Sequence, residues 1–421
     1  MMRILIASTH RTLVGGVEKY LQALIPGLLD RGHDVGFLYE YTADPRMEQM
    51  FQPPAPIRTW CVAELGVATA LRSIAEWRPD VVYCHGLDGA ESVAIESALL
   101  DRYPVVLYVH NYDRTCATGR KCFSFPQIQS CTRRLGPACL LLHYPRRCGG
   151  LHPGIMWKRY RRHTQLNARL PDHRAILVAS SHMHAELLRN GARPETLHLA
   201  PLPTTDVVPQ TTPPRPKSFT GRILFVGRLT DVKGAGHLIL AIPRAAEKLG
   251  RPLTLTIAGD GAEGPRLQEM SARLGVAVEF AGWVQTPEKL NLMRQSDLLA
   301  VPSLWPEPFG LVGIEAGCVG LPAAAYAIGG IQDWLLPAET GESAPSDPPT
   351  VDGLAEAIVR ALASPEHYAR LCHGAWQFAR RFTLENHLAQ LEPILQVRSP
   401  GLESSPSAAS PQPTLVTPHH E

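Results

Sequence analysis

Long apolar runs are missing from this sequence of 421 residues. No stretch of about 20 uncharged apolar residues occurs, which excludes a transmembrane helix at the level of the sequence. Residues 1–9 lead directly into a strand pattern, so we expect no signal peptide. The nine cysteines include no C-x-x-C pair. Such cysteine usage in a chain of this size indicates a reducing compartment, and we predict a cytoplasmic protein.

A large charge imbalance is also missing, because the formal net charge is only +2 at pH 7. The hydrophobic content of 45% is ordinary for a soluble globular protein. The length is sufficient for two domains of about 200 residues each.

Short apolar runs alternate with amphipathic stretches in both halves of the chain, which predicts two doubly wound α/β domains. We place the first domain at 1–203 and the second at 221–381. Residues 204–220, dense in Pro, Thr and Gln, form the predicted linker. A last helix is predicted at 382–397. The Ser/Pro-rich tail at 398–421 lacks the apolar content needed to order itself.

Glycines and histidines follow several predicted strands, where open α/β sheets present their ligand crevice. Gly15 and Gly16 follow the first strand and permit a tight turn before a helix. His85 and His110 each follow a later strand. We favour His110 as a functional residue, and the alternative for both histidines is a side chain satisfied within a loop.

A loop rich in Gly, Arg and Lys opens the second half. The strand at 222–226 runs into G-R-L-T-D-V-K-G at 227–234, and a helix follows. A strand that feeds such a loop into a helix is typical of phosphate binding, and the cations Arg228 and Lys233 would neutralise a diphosphate. The alternative is a pair of ordinary surface cations.

Two glutamates bracket the stretch that follows the strand at 298–302. Glu307 lies in a Pro/Trp-rich loop, and Glu315 lies on a helix predicted to start at Leu311. The start of that helix would offer free N–H groups to a phosphate, with Glu307 at its mouth. Glu315, two turns further along, would accept hydrogen bonds from the hydroxyls of a ribose. The alternative is a buried strand–loop–helix with two solvated glutamates.

Residues 114–174 contain five cysteines and 13 Arg or Lys, against the single acidic residue Asp172. Three interpretations of the cysteines stay open: buried free thiols, disulfides, and a structural metal site. The candidate metal ligands are Cys116, Cys131, Cys139 and Cys148.

The basic residues of this segment cluster at 133–134, 146–147 and 158–162. One interpretation is a solvated face. The other is attraction to an anionic membrane surface or to an acceptor that carries phosphate. Nucleic acid is not expected as a partner, because no recognised reading module accompanies the charge.

The motif E-P-F-G-L-V-G-I-E-A at 307–316, with G-L-P at 320–322 and Gly329-Gly330, resembles the signature of the retaining GT-B glycosyltransferases of family 4. The loop at 227–234 resembles the G-R-x-x-x-x-K-G element of the same family. The resemblance implies a GT-B architecture, in which two Rossmann-like domains face a cleft and the last helix crosses back to the first domain. It implies a donor linked to UDP, GDP or ADP on the second domain, a glycan or glycolipid acceptor on the first, and no cofactor for catalysis.

The same resemblance implies roles for individual residues. Glu307 would contact the donor sugar, and His110 would orient that sugar near the reacting centre. Backbone near Trp283 and Val284 would meet the base. The remaining residues implied in donor binding are Gly16, Gly227, Arg228, Lys233, Phe309, Gly310, Leu311 and Glu315. Surface polysaccharide or glycolipid assembly would be the setting.

The sequence departs from the family at one position, where Asp333 replaces the Glu of G-G-x-x-E. The shorter carboxylate puts the contacts of that position with the sugar hydroxyls in doubt. Two rival functions on the same architecture are a nucleotide-sugar epimerase and a non-catalytic GT-B partner protein. Retention of Arg228, Lys233, Glu307 and Glu315 favours the transferase.

Overall fold

The computed structural model describes residues 1–13, 15–42, 50, 57–205, 207–209, 211–212 and 219–396. The predicted tail and much of the predicted linker lie outside these residues. Within them, no helix combines the length and the apolar character that a membrane crossing requires.

The first half of the chain forms a parallel sheet flanked by helices, and a small hairpin. Its strands are β1 (Arg3–His10), β2 (Asp34–Tyr41), β3 (Arg58–Cys61), β4 (Val81–Cys84), β5 (Val105–Val109), β6 (Cys122–Phe123), β7 (Gln129–Ser130), β8 (Ala175–Val178) and β9 (Leu197–Leu199). Its α-helices are α1 (Gly16–Asp30), α2 (Val62–Leu65), α3 (Val67–Trp77), α4 (Ser92–Leu100), α5 (Ala138–Leu142), α6 (Pro153–Ala168) and α7 (Ser181–Arg189). Short 3₁₀ helices occur at Leu170–Asp172 and Pro194–Thr196.

The second half forms a second parallel sheet. Its strands are β10 (Arg222–Val226), β11 (Thr254–Ala258), β12 (Val278–Gly282), β13 (Leu298–Val301), β14 (Ala323–Tyr326) and β15 (Gly341–Ala344). Its α-helices are α8 (Ala235–Leu249), α9 (Gly264–Leu274), α10 (Thr286–Gln295), α11 (Val312–Cys318), α12 (Val351–Leu362), α13 (Pro365–Ala379) and α14 (Leu384–Gln396). Short 3₁₀ helices occur at Asp231–Lys233 and Gly329–Asp333.

Both parallel sheets reverse their strand order in the middle. The first has the order β3-β2-β1-β4-β5-β8-β9, and the second has the order β12-β11-β10-β13-β14-β15. In doubly wound folds the ligand crevice opens beyond the carboxyl ends of the strands at this reversal. The loops after β1, β4, β10 and β13 are therefore expected to carry the site. The predicted fold class is confirmed.

The alternation of side chains along β1 shows why its sheet needs cover on both faces. Ile4 and Ile6 belong to one buried apolar cluster, which includes Leu21 of α1. Leu5 belongs to a second cluster, which includes Ile74 of α3. Parallel strands that are buried on both faces have continuous apolar sequences, and this pattern allowed them to be predicted from the sequence. β3 has two exposed and two buried residues, and it was not predicted.

The last helix, α14, leaves the second half and packs on α1. A side chain at Gly27 would lie 2.7 Å from Cδ1 of Leu388, so the two helices approach as closely as a glycine allows. Arg31 and His33 place their side-chain nitrogens 3.0 and 3.1 Å from the carboxylate of Glu392. The domain boundaries given above stay a prediction.

Candidate active site

The loops after β10 and β13 touch through their backbones. Gly234 closes the loop after β10 with a φ of +72°, and a side chain there would lie 1.9 Å from the carbonyl oxygen of Pro302. Leu304 N–H donates to the carbonyl of Val232 over 2.8 Å. Only glycine permits both this φ and this approach. The second glycine of the G-R-x-x-x-x-K-G motif therefore holds the cationic loop against the loop that carries Glu307.

Lys233 and Glu307 meet where these loops touch. The ammonium of Lys233 lies 2.7 Å from Oε1 of Glu307, and the hydroxyl of Ser303 donates to the same oxygen over 2.5 Å. Glu307 is 4% exposed, and the Lys233 ammonium also lies 5.8 Å from the ring centre of Trp305. The structure thus brings together two residues that were predicted from separate motifs. Ser303 was not predicted as a site residue, although it lies in the same Pro/Trp-rich loop as Glu307.

Gly329 and Gly330 support the Glu307 loop from behind. Gly330 N–H donates to the carbonyl of Glu307 over 2.7 Å. A side chain at Gly329 would lie 2.5 Å from that same oxygen, at a φ of +58°. This contact explains why the sequence places two glycines here: they let one backbone segment lie directly on another.

Two hydroxyls from the first half clamp the carbonyls on either side of Glu307. Tyr112 Oη–H donates to the carbonyl of Pro306 over 2.7 Å, and Ser180 Oγ–H donates to that of Pro308 over 2.6 Å. Tyr112 is fully buried. Neither residue was predicted, and the available signal was weak: Tyr112 follows His110 by two residues at the end of β5.

Asp333 also connects the two halves of the chain. Its carboxylate accepts hydrogen bonds from Ser181 N–H and Ser181 Oγ–H, each over 2.6 Å. Ser181 is the first residue of α7, where unpaired backbone N–H groups favour a negative charge. The residue that departs from G-G-x-x-E therefore joins the second half to the start of a helix in the first.

Glu315 pairs with a lysine that the sequence analysis missed. Nζ of Lys289 on α10 lies 2.7 Å from Oε1 of Glu315 on α11, and both side chains are largely buried. No motif surrounds Lys289, so only the packing of α10 against this site identifies it. A ribose bound to Glu315 would share the carboxylate with this ammonium.

The helix after the Glu307 loop is shorter than predicted. α11 begins at Val312 and has seven residues, so the N-terminal dipole assigned to it is weak. Phe309 is buried and packs on Phe382 with ring centres 5.9 Å apart, while its carbonyl accepts from Trp334 over 2.7 Å. Its side chain therefore supports the loop from the core and does not face the crevice.

The remaining predicted donor residues lie at accessible positions. Arg228 is exposed, while Gly227, Gly310 and Leu311 are partly exposed. Gly16 is exposed at the start of α1, and a side chain built there would meet no atom within 4 Å. Trp283 is 64% exposed, and Val284 packs partly on the core.

His110 and His85 lie side by side at the ends of β5 and β4. Nε2 of His110 is 2.9 Å from Nδ1 of His85. Burial, followed by the nearby His387, lowers the pKa of His110 to about 3. Burial, followed by His110, lowers the pKa of His85 far below its usual range. Both imidazoles are neutral at physiological pH, so His110 can act only as a neutral donor or acceptor.

The five cysteines of 114–174 are free thiols, and the sulfurs of three of them make hydrogen bonds to different neighbours. Cys116 Sγ accepts from Lys121 N–H over 3.3 Å, while Cys139 and Cys148 donate to the carbonyls of Arg134 and Leu142. Among the described residues no three His, Cys, Asp or Glu side chains are placed to hold a metal.

Burial, followed by the neighbouring cysteines, raises the pKa of Cys148 to about 12. Without a metal, Cys148 is therefore a protonated thiol at neutral pH. Cys116, Cys131 and Cys139 lie near enough to Cys148 to affect its pKa, but the four thiols are not placed to hold a metal, and none forms a disulfide.

The basic residues of this segment divide into two kinds. Arg162 turns inward: its guanidinium pairs with Asp88 and donates to Leu87 O over 2.8 Å. Arg162 therefore does not share the exposed face of its basic neighbours. Lys158, Arg159 and Arg161, on the same helix, are exposed.

The fold and these loops define a protein of the GT-B glycosyltransferase class. The family profile of glycosyl transferases group 1 matches residues 215–376, and that of glycosyltransferase family 4 matches residues 14–204. The two profiles together cover most of the chain, which therefore belongs to glycosyltransferase family 4. The predicted family is confirmed.

Curated relatives agree with this membership. Glycogen synthase of Mycobacterium tuberculosis is 34% identical over 187 residues, which cover 42% of this chain and 44% of that protein. D-inositol 3-phosphate glycosyltransferase of Corynebacterium urealyticum is 30% identical over 195 residues, 44% of this chain and 45% of that one. The chain thus spans less than half the length of these relatives.

Among solved structures, Anabaena HepE in complex with UDP and glucose has a TM-score of 0.64 at 19% identity, covering 94% of this chain and 99% of that one. Sucrose-phosphate synthase from Thermosynechococcus elongatus has a TM-score of 0.65 at 20% identity, covering 94% and 98%. At this identity the similarity shows the shared fold.

Proposed function

We propose that the chain is a glycosyltransferase that moves a sugar from a nucleotide-sugar donor to an acceptor hydroxyl, with retention of anomeric configuration. The contact between Lys233 and Glu307, 2.7 Å apart, carries this proposal. It joins the phosphate-binding loop after β10 to the carboxylate loop after β13 at the point where the second sheet reverses its strand order.

The roles follow from charge and position. Arg228 and Lys233 stabilise the diphosphate as negative charge develops on it. Glu307 contacts the donor sugar, and Glu315 accepts hydrogen bonds from the ribose. A bound diphosphate competes with Glu307 for the Lys233 ammonium, so donor binding frees the Glu307 carboxylate for sugar hydroxyls. His110, a neutral imidazole, orients the sugar.

For the donor we propose a UDP-sugar first, with GDP- and ADP-sugars as alternatives. Support comes from the similarity in fold to HepE, which was solved with UDP and glucose and with UDP-glucose. We propose a glycan or glycolipid acceptor. The names of two relatives, a glycogen synthase and a D-inositol 3-phosphate glycosyltransferase, support an acceptor that carries hydroxyl groups.

A thermal-shift screen against UDP, GDP, ADP and their sugar conjugates tests the donor without an acceptor. A ligand that binds only the folded protein stabilises it by about 2.7 kcal/mol at 100 times its Kd. We expect a shift with one base only, and a clearly smaller shift in Arg228→Ala and in Glu315→Gln. The absence of a shift with every nucleotide would contradict the proposal.

Product analysis separates the rival functions. A donor consumed only when an acceptor is present indicates a transferase. A donor converted to its epimer without acceptor indicates an epimerase. Donor binding without any turnover indicates a non-catalytic partner protein.

We also propose that α5 and the start of α6 contact an anionic membrane surface. Leu141 and Leu151 are each 78% exposed, and Trp157 is 50% exposed. His143 Nε2–H donates to the carbonyl of Gly150 over 2.8 Å, which brings the end of α5 next to the start of α6. Large apolar side chains beside Lys158, Arg159 and Arg161 suit the boundary between headgroups and acyl chains of an anionic bilayer.

Vesicle co-sedimentation tests this surface. We expect binding to phosphatidylglycerol-containing vesicles that weakens with salt, and loss of binding in the double variant Leu151→Ser/Trp157→Ser. Trp283→Ser is the matched control, because Trp283 is 64% exposed in the second half of the chain. Equal binding of the double variant, or no binding to anionic vesicles, would contradict the proposal.

A further inference from the structure

His85 is buried beside His110 within a layer of aromatic rings. Its ring centre lies 4.2 Å from that of Tyr83 on β4, and the ring of His110 stacks on Tyr108 at 4.4 Å. Nδ1 of His85 and Nε2 of His110 are 2.9 Å apart, so exactly one of these two nitrogens carries the shared proton.

The opposite side of the His85 ring decides which nitrogen carries that proton. Nε2 of His85 is buried and has no hydrogen-bond partner among the described residues. If His110 donated, a neutral His85 would carry its own proton on Nε2, as a buried donor without an acceptor. Such a donor costs about 1–3 kcal/mol. If His85 donates from Nδ1, its Nε2 carries only a lone pair, and an unpaired acceptor is better tolerated.

The neighbouring polar groups do not supply the missing acceptor. His387 Nδ1 lies 3.0 Å from the carbonyl of Pro201, which can only accept, so His387 is protonated at Nδ1. Its Nε2 then accepts from Tyr20 Oη–H over 2.8 Å, and Tyr20 Oη accepts from Tyr83 Oη–H over 3.0 Å. In this series of hydrogen bonds, Tyr83, Tyr20 and His387 each donate their proton to the next member. None of the oxygens in the series bonds to Nε2 of His85.

We infer that His85 is a positioning residue, which donates from Nδ1 to Nε2 of His110 and so fixes His110 as the tautomer protonated at Nδ1. Nδ1–H is then the only donor that the His110 ring can offer to a bound sugar. The consequence for catalysis rests on the proposed glycosyltransferase function, whereas the tautomer itself does not.

NMR of the protein labelled with ¹⁵N-histidine tests the tautomer directly. Two-bond ¹H–¹⁵N correlations distinguish an imidazole protonated at Nδ1 from one protonated at Nε2, and the His110→Asn variant identifies the signals of His110. We expect the Nδ1–H pattern for His110 in the unmodified chain. The Nε2–H pattern for His110 would overturn the inference.

Variants of His85 then test its role. His85→Phe keeps a ring and removes the donor, so the Nδ1–H form of His110 loses the hydrogen bond that fixes it and the Nε2–H form should become populated. His85→Asn places an amide N–H near the same point and should keep the Nδ1–H pattern. His33→Gln is a control for losing a buried histidine elsewhere in the first half. An unchanged His110 pattern in a folded His85→Phe protein would overturn the inference.

Kinetics extend the test to function. We expect kcat to fall about 10- to 100-fold in His85→Phe and less than about threefold in His85→Asn, with the donor KM nearly constant. If the chain transfers no sugar at all, the proposed function fails, while the NMR pattern still decides the role of His85.

Discussion

Replacement of Lys233 by methionine removes the cation that faces Glu307 and keeps a side chain of similar length. The side chain of Glu307 is 6% exposed and that of Lys233 is 22% exposed. Removal of one partner of a fully buried ion pair costs about 3–5 kcal/mol. Lys233 is partly solvated, and Ser303 still donates to the carboxylate after the change. We therefore expect a smaller loss in the free energy of unfolding, about 2 kcal/mol.

A second substitution separates stability from donor binding. Glu307→Gln in the Lys233→Met background removes the unpaired charge, so most of the lost stability should return, with a coupling energy of about 1–2 kcal/mol. UDP affinity should behave differently. Both the single and the double variant lose the cation that binds the diphosphate, and both should bind UDP at least about tenfold more weakly, which corresponds to about 1.4 kcal/mol.

Urea unfolding measures the stabilities, and isothermal titration calorimetry with UDP measures the affinities. Lys248→Met is the matched control: Lys248 pairs with Glu356 over 3.0 Å at the surface of the same half, and both side chains are about half exposed. Such a pair contributes about 0–1 kcal/mol, and UDP affinity should stay unchanged. Recovery of UDP affinity in the double variant, or normal affinity in Lys233→Met, would refute the assigned role of Lys233.

Three further predictions concern other parts of the site and its support. Glu315→Gln should weaken UDP binding about tenfold and abolish any preference for UDP over 2′-deoxy-UDP in calorimetry, because its carboxylate accepts from the ribose; a preserved preference would contradict this role. Tyr112→Phe leaves the carbonyl of Pro306 unpaired and should cost about 1–3 kcal/mol in urea unfolding and lower kcat, whereas an unchanged kcat would show that the clamp does not position the Glu307 loop. Burial raises the pKa of Glu96, but the charge of Arg114 and hydrogen bonds lower it overall to about 2. The pair of Glu96 and Arg114 therefore stabilises the fold above about pH 4.5, and this stabilisation is lost as the pH falls toward 2. Glu96→Gln should therefore be about 3 kcal/mol less stable at pH 7 and lack this acid dependence, and a parallel acid profile would contradict the assignment.

The sequence reasoning was most direct where local chemistry was enough. Lys233, Gly234 and Glu307 belong to short motifs whose residue types are dictated by backbone approach and by charge. In the structure the ammonium of Lys233 lies 2.7 Å from the carboxylate of Glu307, and Gly234 packs against the loop after β13. The strands were visible because buried parallel strands are apolar throughout.

The contacts from the other half of the chain could not be predicted in this way. Tyr112 and Ser180 reach the carbonyls on either side of Glu307 from positions more than a hundred residues away. The hydrogen bond from Ser181 to Asp333 could not be predicted either, because the two residues are 152 positions apart. The motif around Asp333 shows only that Asp replaces the longer Glu of G-G-x-x-E. Arg162 looked like a surface cation until the fold placed Asp88 beside it.

The sequence by itself therefore determined the two doubly wound α/β domains and the loops that would carry phosphate-binding cations and carboxylates, because these depend on periodicity and on local backbone geometry. The GT-B class and the family came from the resemblance of its motifs to those of family 4. Tertiary structure alone decided which side chains clamp those loops, that Arg162 turns inward, that the cysteines stay free thiols, and how His85 meets His110. Those outcomes depend on partners distant in the chain, and burial fixes their protonation only after the chain has folded.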